Sequence, residues 1–277
     1  VSTATAIEAP TKTALRYPGG KFRMAKKLIP FFPAHSTYVE PFGGGGSVLL
    51  AKEPAKFEVY NDLDEGVVNF FRVLRDPKLA FELEKAISLT PYSRTEHANC
   101  WEPSDDPVEE ARRMLVRSFQ SIGVKHRNSG DGWRTASTRL ERSPAKGWFD
   151  RAGEIPKFLD RLKEVVIECV SYERLFPWLD GEETLWYADP PYIGKNEGYV
   201  HTMTKDDHAL LCERLRELKG MVILSGYDIE IYQSMLADWQ THSFAARAQG
   251  NVPRVEMIWI NPATAARLQP QLFEVEP

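Results

Sequence analysis

The sequence predicts an α/β fold, a mostly parallel and doubly wound sheet interrupted by a small basic lobe. Three observations predict it. Short apolar runs of strand length alternate with amphipathic stretches of helix length. A run of four glycines, Gly43 to Gly46, follows the first apolar run, where a parallel sheet opens its ligand crevice. The alternation then stops over residues 90–153, a loop-rich and basic stretch, and resumes beyond it.

The elements follow in order. Residues 1–14 are small and polar and read as a flexible tail. KKLIPFFP reads as a helix ending near Pro33, and STYVEPF as a short buried strand. GGGGSVLLAKE predicts a tight glycine turn feeding a helix, and AKFEVYNDL a second strand. DEGVVNFFRVLRDPKLAFELEKAI is helical with a break near Pro77, because proline cannot continue a helix interior. DPVEEARRMLVRSFQSIG is helical, with Asp106 as N-cap and Pro107 at the first helical position. After the basic stretch come a helix PKFLDRLKE, a strand VVIECVS and a strand ETLWYAD. A helix KDDHALLCERLRELKG is expected to be capped by Gly220. A strand MVILSGYD, a helix EIYQSMLADW and a strand RVEMIWIN complete the pattern. The main domain is therefore expected over 15–89 and 154–277, with the inserted lobe at 90–153.

Composition narrows the class. The chain has 277 residues, enough for one sizeable core with an inserted lobe. Its three cysteines, Cys100, Cys169 and Cys212, form neither a disulfide framework nor a CxxC zinc pattern. The six histidines form no HExxH, so no metal site is expected. The sequence contains no basic-then-apolar leader and no apolar stretch of membrane-spanning length. A cytoplasmic protein is expected. The net charge of −4 does not mark the whole chain as a nucleic-acid binder. From Arg112 to Arg151, however, ten Lys/Arg face only Asp131, Glu141 and Asp150. That asymmetry is either a surface that steers a polyanion or a solvated helix face with a basic loop.

Three short stretches carry the chemistry. The glycine turn lets a ligand approach the backbone closely. Asp62 arrives about twenty residues later, at the end of the next strand, where a carboxylate can accept hydrogen bonds from both hydroxyls of an adenosine ribose. Val48 or Leu49 stands at the third glycine position of a dinucleotide fingerprint, which disfavours a pyrophosphate. YPGGK is no P-loop, since Phe22 follows Lys21 and no glycine lies five places before Gly20. In WYADPPYIG, two prolines remove two backbone donors and hold the preceding residues extended. Asp189 is thereby expected at the end of a strand on stiff backbone. An exocyclic aromatic amine is a poor nucleophile because its lone pair is delocalised into the ring. The Asp189 carboxylate and the Pro190 carbonyl could grip its two N–H bonds while Tyr192 stacks on the ring. Methyl transfer to such an amine needs positioning and electrostatics and no metal.

Taken together and in this order, RYPGGK, VEPFGGGGSV, YNDLDE and ADPPY resemble the DNA adenine-N6 methyltransferases of the Dam type, the D12 class. The resemblance covers most of the chain from about Leu15 to Asn261, except the basic lobe. It implies a Rossmann-like S-adenosylmethionine-dependent methyltransferase fold with a small inserted DNA-recognition lobe. It also implies methyl transfer from S-adenosylmethionine to the N6 amine of a flipped-out adenine in duplex DNA. Residue by residue, it implies that Tyr17 and Lys21 close the cofactor and base pocket. Glu40, Phe42, Gly43 and Gly45 would lie along the methionine part of the cofactor, and Asp62 would bind the ribose. Ser171 and Tyr172 would meet the cofactor's adenine. Asp189, beside both ligands, and Pro190 and Tyr192 would hold the target base. Tyr17 stands where some members have Trp, which keeps an aromatic.

The lobe matches the family in position and in no motif. RNSGDGWRTASTR reads as a hairpin. Arg127, Arg134 and Arg139 are placed to reach guanine edges, and Trp133 either fills a gap in the base stack or packs the lobe. Duplex DNA is the expected partner, a cognate restriction endonuclease a further one, and the protein is expected to be a monomer. The competing readings are a cytosine-N4 or RNA adenine methyltransferase, a catalytically silent DNA-binding protein, and a dehydrogenase.

Overall fold

The computed structural model describes residues 10, 12–123, 132–134, 143–193, 199–247 and 253–273. The chain opens with a short helix α1 (Ala25–Leu28), closed by a 3₁₀ turn over Ile29–Phe31. Strand β1 (Thr37–Glu40) follows, then the glycine turn and β2 (Phe57–Asn61). Helices α2 (Glu65–Arg75) and α3 (Pro77–Leu89) come next. Asp76 ends the first and caps the second, accepting from the amides of Lys78 and Leu79, so the expected break at Pro77 is a helix start. Helices α4 (Arg94–Asn99), α5 (Pro107–Gln120), α6 (Pro144–Phe149) and α7 (Ile155–Leu162) lead to β3 (Val166–Glu168). Then come α8 (Tyr172–Leu179), β4 (Thr184–Ala188), α9 (Lys205–Glu217), β5 (Met221–Gly226) and α10 (Glu230–Met235). Two long strands, β6 (Gln240–Arg247) and β7 (Pro253–Ile260), precede α11 (Pro262–Phe273).

Among the described residues these seven strands form one sheet in the order β3-β2-β1-β4-β5-β7-β6. The first five are parallel, and β7 inserts antiparallel between β5 and β6. β4 and β5 lie at the centre and are buried along their whole length, as expected of a parallel strand covered on both faces. One apolar cluster covers one face and includes Tyr38, Tyr60, Phe70, Phe71 and Trp148. The other face packs Val39, Val59, Leu175, Trp186, Leu224, Tyr232 and Trp259. The sheet order reverses between β1 and β4, and the carboxyl ends of those strands carry Glu40 and Asp189. A ligand crevice belongs at such a reversal.

Three local expectations are corrected. The stretch after the glycines forms turns and no helix. Leu50 N donates to Gly46 O at 2.9 Å and Lys52 N to Val48 O at 3.0 Å, which amounts to a single turn. Gly46 holds a left-handed φ of 61° and Pro54 follows soon after, so too few residues remain to build a helix. Second, Gly220 does not cap α9, because Leu218 is extended at its C-cap. Glycine is needed there for closeness, since a Cβ would lie 2.7 Å from the Thr184 carbonyl oxygen. Third, β6 was not anticipated, because QTHSFAAR has no apolar face to betray a strand.

Much of the 90–153 stretch is continuous with the body. Helix α5, with Asp106 as its N-cap, places Ala111, Met114, Leu115 and Val116 in the main core. Three of its arginines are paired internally. Arg112 reaches Glu96 at 2.8 Å and Glu109 at 2.6 Å, Arg113 shares Glu109, and Arg117 meets Glu110. Those charges therefore belong to an ion-paired helix face.

Candidate active site

A cleft of about 300 Å³ opens at the carboxyl ends of β1, β2 and β4. Its floor is the glycine turn, which is tied to the end of β2. Gly43 N donates to Asn61 O at 2.7 Å, the Tyr60 hydroxyl donates to Gly44 O at 2.6 Å, and Gly44 N donates to an Asp62 carboxylate oxygen at 2.8 Å. A Cβ on Gly43 would stand 2.2 Å from the Tyr60 ring, and Gly44 and Gly46 hold φ values of 47° and 61°, so three of the four glycines are obligatory. Asp62 also accepts from Asp64 N at 2.9 Å, and these two amides fix its orientation. Burial pushes its carboxyl above the ordinary range, against the pull of those amides.

All ten residues expected at the cofactor line this one cleft: Tyr17, Lys21, Glu40, Phe42, Gly43, Gly45, Asp62, Ser171, Tyr172 and Asp189. Phe42 and Tyr172 form an apolar wall, their ring centroids 5.4 Å apart. Glu40 is buried beneath the cleft and accepts from the Tyr38 hydroxyl at 2.7 Å. Burial raises its carboxyl to about 8.

Asp189 follows the last residue of β4, as the two prolines require. One carboxylate oxygen accepts from the Tyr192 hydroxyl at 3.0 Å, and the other meets the Lys21 ammonium at 2.9 Å. Lys21 is buried at 4 % exposure, donates to Gly19 O at 3.0 Å and lies 3.5 Å from Glu256. Burial alone would lower its pKa, but Asp189, Tyr187 and Glu256 raise it above the ordinary lysine value, so Lys21 is a cation. Pro190 and Tyr192 are not among the cleft-lining residues. Tyr192 turns its hydroxyl to Asp189 and Ser225 and packs edge-on against Tyr227, with ring centroids 4.5 Å apart. His208 is buried and satisfied. Its Nε2 donates to the Pro191 carbonyl at 3.0 Å, and its Nδ1 accepts from the Tyr232 hydroxyl at 2.6 Å. A carbonyl can only accept, which fixes the tautomer.

Sequence reasoning missed Tyr199, His201, Met203 and Glu173, which also line the cleft, and Glu256, which reaches Lys21 from β7. Glu256 is a single acid in an apolar strand, and that was its only signal. Among the DNA-contact candidates, Arg127 and Arg139 lie outside the described residues. Trp133 and Arg134 sit at the neck of the expected hairpin, where Ser121 pairs antiparallel with Trp133 and Arg134 N donates to Gln120 O at 2.6 Å. Trp133 packs on Tyr92 at 5.6 Å between centroids, with the Arg94 guanidinium 4.8 Å from its ring.

The charge of the cleft says what it accepts. Glu40, Asp62, Asp64, Glu173, Asp189 and Asp207 line it, against Lys21 and His201. No helix starts at the glycine turn, so no helix N-terminus offers itself to a pyrophosphate. Such a cleft repels a dinucleotide and favours a ligand that carries positive charge beside a ribose. The fold and site together define a Rossmann-like α/β protein with an acidic ligand cleft at its sheet reversal.

The particular family follows from comparison with known proteins. Residues 17–102, which hold the glycine turn, Asp62 and Lys21, match the family described as D12 class N6 adenine-specific DNA methyltransferase. Over 252 residues it is 23% identical to the retron Ec67 DNA adenine methylase of Escherichia coli, covering 85% of this chain and 84% of that protein. A DNA adenine methylase of Vibrio cholerae is 25% identical over 232 residues, 77% of this chain and 80% of the relative. The type II methyltransferase M.MjaIII of Methanocaldococcus jannaschii is 22% identical over 87% of this chain and 93% of its own length.

Proposed function

We propose that the protein is a site-specific DNA methyltransferase that transfers a methyl group from S-adenosylmethionine to the N6 amine of a flipped-out adenine. The observation that carries this reading is Asp189. It is an oriented carboxylate on proline-stiffened backbone at the end of β4, opening into an acidic cleft that also holds Asp62. S-adenosylmethionine supplies an electrophilic methyl group carried on a cationic sulfur. Asp62 would accept hydrogen bonds from the ribose hydroxyls with the lone pairs its two backbone amides leave over. Phe42 and Tyr172 would enclose the apolar faces, and Ser171 would meet the adenine. Glu40 and the other carboxylates favour the positive charge.

Asp189 accepts one N–H of the target amine, and the Pro190 carbonyl accepts the other. Held this way, the nitrogen is drawn toward pyramidal geometry and its lone pair is freed for attack. Transfer would form the N–CH3 bond as the S–CH3 bond breaks, with the departing electron pair leaving sulfur as a neutral thioether, and the amine would then shed its proton to Asp189 or to water. His208 holds the Pro191 carbonyl and so steadies the loop that presents both acceptors. An adenine inside a duplex cannot reach this cleft, so the base is flipped out at a cost of a few kcal/mol. Arg134, Arg127 and Arg139 are assigned to the duplex, while Trp133 packs the lobe neck. The protein is taken to act as a monomer on duplex DNA, and a cognate restriction endonuclease is one partner open to it.

The test is label transfer from S-adenosylmethionine to unmethylated duplex DNA of mixed sequence, followed by nucleoside analysis. N6-methyladenine is the expected product. N4-methylcytosine, or label in RNA alone, would move the assignment to another amine. NAD binding without S-adenosylmethionine binding would end it.

A further inference from the structure

Lys21 stands where the proposed reaction needs room. Its ammonium lies 2.9 Å from Asp189, on the oxygen that the Tyr192 hydroxyl leaves open. The target amine must donate to this same carboxylate. A cation left there would face both a positively charged methyl donor and a nitrogen that becomes positive as it attacks, and in a site with little water such repulsion is large. Glu256 lies on the other side of Lys21 at 3.5 Å. It comes from β7, which runs antiparallel to β5 and so brings its first half to the carboxyl end of the parallel strands. The Glu256 and Asp189 side chains are each 17 % exposed, and the Lys21 side chain 4 %. One buried cation thus lies between two carboxylates, nearer to one of them.

We infer that Lys21 is an exchangeable plug on Asp189 and that Glu256 is the positioning residue that receives it when the target base enters. The inference rests on the proposed role of Asp189 in gripping the amine. Before base entry, the ammonium keeps that Asp189 oxygen occupied. On entry, the amine replaces Lys21 as the donor to Asp189, and the ammonium closes on Glu256 while keeping its bond to the Gly19 carbonyl. Lys21 remains protonated throughout, and no covalent bond changes. Glu256 touches neither the substrate nor the cofactor. It acts through Lys21.

The experiment measures methyl transfer to mixed-sequence duplex DNA, with cofactor affinity measured separately in the absence of DNA. Glu256→Gln keeps the shape and removes the charge that receives Lys21. It is expected to lower kcat about tenfold or more, the scale of a misplaced reacting group, and to leave cofactor Kd and Tm near wild type. Glu256→Asp keeps the charge and is expected to restore most of the loss. In a Lys21→Met background there is no plug to receive, so Glu256→Gln is expected to change kcat less than about twofold, within the range of additive, uncoupled changes. A wild-type kcat for Glu256→Gln would overturn the inference, as would the same tenfold loss in the Lys21→Met background. A folded Lys21→Met protein that binds the cofactor with wild-type Kd but shows no turnover would also overturn it, because Lys21 would then do more than hold a place. Wild-type protein that transfers no methyl group would instead overturn the proposed function, and this inference with it.

Discussion

Two buried ion clusters flank the sheet, and they behave differently. Beside the glycine turn, Glu58 on β2 meets Lys52 at 2.7 Å and Arg161 of α7 at 2.5 Å. Arg161 also donates to Leu49 O at 2.6 Å, and Lys52 lies 4.4 Å from the Tyr38 ring centroid. All three side chains are 3–4 % exposed. Burial pushes the Glu58 carboxyl upward, but Arg161 and Lys52 more than reverse this and hold it below the ordinary range. That cluster is closed and staples α7 to the back of the turn. The Lys21, Asp189 and Glu256 cluster inverts that ratio of two cations to one acid and opens into a cleft, its one cation shared unequally between two acids. A closed ion cluster holds a fold, while one that borders a cleft can exchange partners and do chemistry.

The comparison can be broken from either side. The largest effect is expected at Asp189. Asp189→Ala removes the proposed acceptor for the amine and should lower kcat about a thousandfold, as loss of an oriented polar group at the reacting atom does. Rapid-quench label transfer would show this, with Tm little changed. An unfolded Asp189→Ala protein would make the open cluster structural. Arg161→Met tests the closed cluster. It leaves Glu58 buried with Lys52 alone and should cost about 3–5 kcal/mol in denaturant unfolding, with normal cofactor affinity in the folded fraction.

Next in size is Asp62→Ala. Loss of hydrogen bonds to a charged acceptor should weaken S-adenosylmethionine binding by about 2 kcal/mol, roughly thirtyfold, as read by titration calorimetry. Glu40 supplies a pH signature. Its carboxyl is raised from 4.5 to about 8 in the folded protein, so the folded state holds a proton that the unfolded state has released. Its contribution to stability is present below the lower value and is lost as pH rises from 4.5 toward 8. Binding of a cationic ligand favours the ionised form, so affinity should rise with pH up to about 8, by at most about tenfold per unit. Glu40→Gln should flatten both profiles. The smallest effect lies far from either cluster. Asp106→Ala removes an N-cap and should cost about 1 kcal/mol of stability without altering turnover.

The chemistry-bearing stretches were legible because their reasons are local. Two prolines after Asp189 end a strand wherever they occur. Glycines before Ser47 force a turn, and Asp106-Pro107 starts a helix. The ten cofactor-side residues come together because the carboxyl ends of adjacent parallel strands meet in space. The helix expected after the glycines does not form, because Gly46 and Pro54 leave too few residues for it.

What the sequence by itself determined was therefore the parallel α/β class, the positions of the strand ends and the identity of the residues placed there. Strand periodicity and turn chemistry are encoded within a few neighbouring residues. Only the tertiary structure decided that β7 runs backward between β5 and β6, that Glu256 consequently faces Lys21, that His208 holds the Pro191 carbonyl, and that the arginines of α5 are paired within the protein. Each of these depends on which distant side chains burial brings together, and on charges that must find partners once water is excluded.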